Sequence, residues 1–271
     1  QFTYPESDSS FILLDMNHTL WQSCPWSNLR VENDSTLVGY KLVKGWGPER
    51  HVYFTAVFSK PFRDFGIMQD TIPVKYNTNR FRSSLEAWGK DLRFWMRFPT
   101  RQGEVVTVKT AVSAVSSDGA KLNMQELEGK TFASLKAEGE KLWEGQLSKF
   151  KIEATPEQRE TFYTSVYHAF LHPFIFQDAD GKFRELDKNI GQAEGFTNYT
   201  VFSLWDTYRA LHPLFNLVQR DINADIVNSM LAHYDKSVEH MLPVWSFYGN
   251  ETWCMIGYCR CHHERCEGIR L

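Results

Sequence analysis

The sequence predicts a multi-domain β + α fold, with an antiparallel β-sandwich followed by a series of helices. Two observations carry this prediction. From Phe2 to about Leu127, apolar and polar residues alternate in short runs, whereas from Thr131 onwards apolar residues recur at helical spacing. The chain has 271 residues, enough for one large domain or two smaller ones. Short strands without helices between them are typical of an antiparallel sandwich.

Residues 1–130 are predicted to form the sandwich domain. Turn signals such as Gly45–Pro48, Thr100–Gly103 and Asp118-Gly119 separate its runs. The predicted strands are FILLDM, LVGYKLV, HVYFTAVFS, FGIMQ, RFWMRF, VVTVKTAVSAVS and KLNMQEL. A period close to two within these runs, with turn signals between them, favours strands over helices.

Residues 131–154 are predicted to form a helical linker. Its apolar positions recur at roughly helical spacing: Phe132, Leu135, Leu142, Leu147 and Phe150. Thr155-Pro156-Glu157 then offers an N-cap, a proline at the first helical position and an acidic first turn. Residues 155–258 are predicted to continue as helices joined by polar loops.

Composition limits the possible partners. The net charge of −3 gives no reason to expect nucleic acid or an anionic membrane surface as a partner. No apolar run approaches the ~20 residues that span a bilayer. Aromatic residues make up 15% of the chain, with nine tryptophans, which indicates either a large core or sugar binding, because indole faces stack on the C–H faces of pyranose rings.

The segment FSLWDTYRALHPL, residues 202–214, carries the first candidate binding residues. Trp205, Asp206 and Arg209 lie at or near a predicted helix start, with Asp206 and Arg209 three residues apart on one face. The carboxylate could accept sugar hydroxyls, the guanidinium could hold that carboxylate or bind sugar, and the indole could stack on the ring. A capped helix with an internal Asp–Arg pair and a core tryptophan explains the same pattern.

The second group of candidates lies in LPVWSFYGNETWCMIGY, residues 242–258. Asn250 and Glu251 stand beside Trp245 and Trp253 at a predicted junction between a loop and a helix. The pattern is compatible with a sugar-binding wall. It is equally compatible with Asn250 or Glu251 simply capping a helix.

Together these motifs, with NSMLAHY and VYFTAVFSKPF, resemble glycoside hydrolase family 92 from about Phe2 to Tyr258. That family consists of calcium-dependent exo-α-mannosidases, mostly bacterial. The resemblance implies an incomplete sandwich (a supersandwich in the family), a helical linker, and the first part of an (α/α)6 toroid at 155–258. It also implies single displacement with inversion at terminal α-linked mannose of glycans, by one acid and one base.

Carried over residue by residue, the resemblance makes Asp206 a substrate-contacting aspartate with Trp205 beside it. Arg209, Asn250 and Glu251 match positions that line the pocket. The family's acid, base and calcium ligands come from motifs that would follow residue 258, so neither a catalytic residue nor a metal ligand is assigned. The chain alone is therefore expected to be inactive and, with helix faces left unpartnered, poorly soluble.

The last residues, 259–271, admit four interpretations. Cys259, Cys261, His262, His263 and Cys266 have the chemistry of zinc ligands, but their spacing matches no standard zinc knuckle. A disulfide cluster and an ordinary polar helix end are alternatives. The interpretation adopted is a tail translated out of frame, because a one-base shift permits the apolar helix with which the family continues.

Two other functions remain open from the sequence. One is a non-catalytic carbohydrate-binding or structural module. The other is an inverting disaccharide phosphorylase, which shares the architecture and the WDT motif but carries Glu where this chain has Tyr208. The first residues show no signal-peptide pattern. Family habit implies a periplasmic, cell-surface or secreted bacterial protein.

Overall fold

A computed structural model describes residues 1–62, 64–74, 86–237, 245–246, 249 and 251–252. The chain divides into two compact units. The first comprises Gln1–Glu128 together with Asp178–Asp180, and the second comprises Gly129–Gln177 and Gly181–Leu271.

The first unit is built from antiparallel strands. They are β1 (Phe2–Tyr4), β2 (Ser7–Asp15), β3 (Ser23–Asn33), β4 (Thr36–Lys44), β5 (Arg50–Phe58), β6 (Asp64–Gln69), β7 (Ile72–Pro73), β8 (Glu86–Gly89), β9 (Leu92–Thr100), β10 (Glu104–Val106) and β11 (Val108–Ser113). One sheet has the order β11-β5-β4-β3-β8, a second has the order β2-β9-β6-β7, and β1 pairs with β10.

The two larger sheets enclose one apolar core. Strand β9 shows why, because every second residue points inwards: Leu92, Phe94, Met96 and Phe98 are at most 1% exposed. Leu29, Leu37 and Ile67, from β3, β4 and β6, belong to the same buried cluster. Burying each such side chain contributes roughly 1.5–3 kcal/mol. The alternation that predicted the sandwich is thus the alternation that fills its core.

One predicted strand is wrong. The run KLNMQEL belongs to helix α1 (Ser117–Met124) and to a 3-10 turn over Gln125–Leu127. The hydroxyl of Ser116 accepts from the backbone nitrogen of Gly119 at 3.0 Å and so caps the helix start. Helix α1 packs on β11 and β5. This cap and this packing outweigh the period-two pattern of the run.

Asp178 ties a distant part of the chain to α1. This residue is 4% exposed, and its carboxyl accepts hydrogen bonds from the Ser113 hydroxyl at 2.7 Å and from the Asn123 amide at 2.8 Å. Gly119 permits this approach, because a Cβ built there would lie 2.1 Å from Oδ2 of Asp178 and 2.7 Å from Oγ of Ser113.

Gly119→Ala is therefore expected to destabilise the protein by about 1–3 kcal/mol, even though alanine is normally the better helix former. The matched control is Gly139→Ala in the second unit, where nothing lies within 4 Å of a built Cβ. That change is expected to stabilise by up to about 1 kcal/mol. Urea unfolding of both variants measures the two effects, and equal shifts would contradict the packing argument.

The second unit is mainly helical. Its helices are α2 (Phe132–Leu147), α3 (Pro156–Ala169), α4 (Leu204–Thr207), α5 (Leu211–Val218) and α6 (Arg220–Lys236). Three short strand pairs join them: β12 (Phe174–Ile175) with β15 (Tyr199–Thr200), β13 (Lys182–Arg184) with β14 (Ile190–Gln192), and β16 (Trp245–Ser246) with β17 (Glu251–Thr252). The predicted helix start at Thr155 is confirmed, with a capping box to Gln158 and proline in the first turn.

The helices of the second unit share a smaller core, formed by Tyr199, Phe202, Phe215 and Ile226. The apolar positions predicted for α2 are not part of it, and Phe132 and Leu142 are 54% and 67% exposed. Within the described residues, no helix has the length and apolarity to cross a membrane. The predicted order of antiparallel sheets followed by helices is confirmed.

Candidate functional site

Asp206 lies in the four-residue helix α4, which follows a strained turn. Val201 and Ser203, on either side of Phe202, have φ angles of 65° and 46°. Positive φ is costly for residues other than glycine, above all for a β-branched residue, and such strain persists only where the surroundings hold it. Phe202 supplies that hold, since its side chain is 1% exposed and its carbonyl accepts from the Thr207 hydroxyl at 3.0 Å.

The carboxyl group of Asp206 is oriented by its own turn. The Ser203 hydroxyl donates to Oδ2, and the Asp206 backbone nitrogen donates to the Ser203 carbonyl at 2.9 Å. The side chain is otherwise exposed, and Oδ1 has no hydrogen-bond partner among the described residues. An anchored carboxylate with a free oxygen is suited to accept hydroxyl groups from a ligand.

Asp206 and Arg209 are both among the described residues, and no ion pair joins their side chains. Such a pair was one of the two alternatives that the sequence left open for the guanidinium. Helix α4 ends at Thr207, and Arg209 lies in the turn before α5. The cause is Pro213, whose ring would clash with the carbonyl of Arg209 in a continuous helix. Arg209 instead donates from Nε to the Tyr208 hydroxyl at 2.8 Å, with its guanidinium 5.3 Å from that ring's centroid.

The strained turn rests on a polar support. The Tyr199 backbone nitrogen donates to the Ser229 hydroxyl at 2.9 Å, and the Asn198 amide donates to the Phe176 carbonyl at 2.8 Å. The His233 ring lies 5.7 Å from Phe202, centroid to centroid. Complete burial lowers the pKa of His233 to about 4, so the imidazole is neutral at neutral pH. These contacts hold the segment from Asn198 to Phe202, which precedes Asp206, in one conformation.

The other predicted residues are only partly described. Trp205 belongs to α4 and Glu251 to β17, but their side chains, and Asn250 altogether, lie outside the described residues. Gly249, directly before Asn250 and Glu251, has a φ of 75°, and a Cβ built on it would lie 2.9 Å from the Arg184 carbonyl oxygen. The Lys188 ammonium donates to the Gly249 carbonyl at 2.5 Å. The turn that leads into β17 is therefore tied to the β13–β14 hairpin.

A cavity of about 470 Å³ also lies in the second unit. Its lining is mostly apolar and includes Trp143, Phe170, Phe174 and Phe215. None of the five predicted binding residues contributes to it. The cavity and the Asp206 turn are therefore separate candidate sites, and only the turn carries an exposed anionic group.

The described residues do not fit a calcium site. Calcium takes six to eight oxygen ligands in proteins, and no group of three or more His, Cys, Asp or Glu side chains converges within this part of the chain. The candidate zinc ligands Cys259, Cys261, His262, His263 and Cys266 lie outside the described residues.

Sequence reasoning missed three residues of the site. Ser203 could have been found, because Ser three residues before Asp is a helix-start pattern that places hydroxyl and carboxyl together. Tyr208 was considered only as a departure from another family, although its hydroxyl holds Arg209. His233 gives no signal in the sequence, because its burial depends on how α6 packs.

Known proteins match nearly the whole chain. The Glycosyl hydrolase family 92 N-terminal domain matches residues 1–113, and the Glycosyl hydrolase family 92 catalytic domain matches residues 119–261. Comparison with curated protein sequences returned no match.

Solved structures agree with the family match. A GH92 α-mannosidase from Bacteroides thetaiotaomicron is 72% identical over 95% of this chain, with a TM-score of 0.91, and the same enzyme in complex with mannoimidazole gives 0.90. An inverting mannosidase of the same species is 23% identical over 93% of this chain, with a TM-score of 0.78, and it supports the fold alone. The chain spans about a third of these proteins, 35%, 34% and 33% of their lengths. The chain belongs to glycosyl hydrolase family 92.

Proposed function

We propose that this chain is a portion, cut at both ends, of an inverting exo-α-mannosidase that releases terminal α-linked mannose from glycans. The observation that carries the proposal is the 72% identity over 95% of the chain to a family 92 α-mannosidase. The mannoimidazole complex of that relative supports a mannose-like ligand. We further propose that the helices from residue 155 begin an (α/α)6 toroid and that residues 1–130 and 131–154 are sandwich and linker.

In this proposal the Asp206 carboxylate accepts hydrogen bonds from hydroxyl groups of the terminal mannose. Its anchored Oδ2 and free Oδ1 support that role, since charge-assisted hydrogen bonds are both strong and directional. Arg209, held by Tyr208, donates from its terminal nitrogens to the sugar. Trp205, Asn250 and Glu251 complete one wall of the same subsite.

Hydrolysis with inversion needs two carboxyl groups about 6.5–9.5 Å apart, one to protonate the leaving oxygen and one to activate water. We assign neither to this chain. The described residues do not fit calcium either, so any calcium of the complete enzyme would be held by other residues. The contribution of this chain is to bind and orient the sugar. The protein is proposed to lie in the periplasm or at the cell surface of a bacterium, or to be secreted by it.

A hybrid enzyme tests the proposal. Residues 1–258 of this chain replace the matching part of the Bacteroides thetaiotaomicron relative. Mannose release from α-mannosides is measured for this hybrid and, in parallel, for the 271-residue chain alone. We expect calcium-dependent hydrolysis by the hybrid and none by the chain alone. A hybrid that melts cooperatively yet releases no mannose would contradict the proposed function. Mannose release by the chain alone would contradict its proposed dependence on residues elsewhere.

A further inference from the structure

Two exposed tryptophans lie side by side on the first unit. Trp26 of β3 and Trp88 of β8 are 46% and 54% exposed, and their ring centroids are 6.4 Å apart at an interplanar angle of 35°. The strand register pairs Asn28 with Trp88, so Trp26 is a diagonal neighbour on the same sheet face. Strand β8 ends the five-stranded order, which places both indoles at an edge of the sheet.

A carboxylate fixes one of these rings. Oε1 of Glu86 accepts from the Trp88 indole nitrogen at 3.0 Å and from the Asn28 amide at 3.1 Å. Oε2 of Glu86 has no hydrogen-bond partner within the described part of the chain. The indole is therefore held by its nitrogen while its face stays open, and an acceptor oxygen is held beside it.

This combination suits a neutral ligand with apolar faces and hydroxyl donors. Pyranose C–H faces stack on indoles, and sugar hydroxyls donate to carboxylates. An apolar peptide would bury the Glu86 carboxylate without a full set of partners, at a cost, and an anionic ligand would be repelled by it. The two indole centroids are about one sugar-ring width apart. The two indoles can therefore contact adjacent sugar units of one glycan chain.

We propose that Trp26, Trp88 and Glu86 form a second, non-catalytic glycan-binding site, which holds mannose-containing polysaccharide on the first unit. The choice of mannose rests on the proposed function; the binding of a neutral glycan rests on the geometry alone. The surface lies in the first compact unit, whereas Asp206 belongs to the second. Binding here therefore does not need the hydrolytic site.

Affinity electrophoresis of the full 271-residue chain in gels that contain yeast α-mannan tests the proposal. We expect the chain to be retarded and each of Trp26→Ala, Trp88→Ala and Glu86→Gln to weaken binding on the order of tenfold. The matched control is Trp21→Ala, because Trp21 is fully exposed in the same unit and outside the pair. Thermal melts confirm that each variant is folded.

The outcomes separate the two proposals. If the hybrid enzyme with Asp206→Asn loses hydrolysis and is still retarded by mannan, the second site stands apart from the first. Retardation by a β-glucan but not by mannan would overturn the choice of sugar. A folded chain that no glycan retards, or equal losses in Trp21→Ala and Trp88→Ala, would overturn the site itself.

Discussion

Replacing Asp206 by asparagine in the hybrid enzyme is expected to lower kcat/KM for α-mannosides by about 10²-fold or more. Hydrogen bonds to a charged group are worth about 1.5–3 kcal/mol each, and the proposed carboxylate makes more than one to the sugar. Asparagine keeps the shape but offers a single uncharged acceptor and an amide donor. The loss should appear mainly as a higher KM with kcat little changed, because the same hydroxyls are held in the ground state and in the transition state.

Two further variants give this prediction its controls. Asp221→Asn changes an exposed aspartate in the first turn of α6 and should leave hydrolysis unchanged. Ser203→Ala removes the hydroxyl that orients the Asp206 carboxyl and should cause a smaller loss, about tenfold. If Asp206→Asn retained wild-type kcat/KM in a folded hybrid, Asp206 could not be a substrate-contacting residue.

Acidification from pH 6.5 to about 4 is expected to destabilise the chain through His233. In the folded protein burial lowers the pKa of this imidazole to about 4, whereas in an unfolded chain it takes up a proton near 6.5. Between these values the unfolded state binds one more proton, so the free energy of unfolding falls by up to about 1.4 kcal/mol per pH unit. The stabilisation is complete above pH 6.5, and no more is lost through His233 below about 4.

The measurement is urea unfolding at pH 7 and pH 5 for the wild type and His233→Phe. Phenylalanine keeps a ring beside Phe202 and cannot titrate, so the variant should lose much of the pH dependence. Some should remain, because burial also lowers the pKa of His172 and of His212. The control His168→Phe changes an exposed histidine of α3 and should behave as the wild type. An unchanged pH dependence in His233→Phe would contradict the prediction.

Strands with clear alternation were predictable from the sequence, and the others were not. Strands β2, β4, β5, β6, β9 and β11 fall on predicted runs. Strand β3, although it pairs with a strand on each side, was missed because Pro25 interrupts it and an irregular register between Ser23 and Trp26 breaks the period. The opposite error occurred at KLNMQEL, where a capped helix happens to show alternation.

The site shows a similar division. Asp206 was singled out because a carboxylate beside aromatic residues is compatible with sugar binding and because the family resemblance implies a substrate-contacting aspartate there, and its role stays a prediction. Its separation from Arg209 could have been read from Pro213, four residues after Arg209, since proline excludes a helix through that carbonyl. The positive φ angles of Val201 and Ser203 could not be anticipated, because the tertiary packing around Phe202 makes them tolerable.

The placement of Asp178–Asp180 has a consequence for how the protein is synthesised. These residues belong to the first unit, although the whole stretch between Glu128 and Asp178, Gly129–Gln177, belongs to the second. On the ribosome the sandwich can therefore collapse early, but Ser113 and Asn123 gain the Asp178 carboxyl only after residue 180 has emerged. A fragment that ends at residue 128 would leave Ser113 and Asn123 without the Asp178 carboxyl that accepts their hydrogen bonds. A fragment designed to fold as the first unit should therefore extend to residue 180.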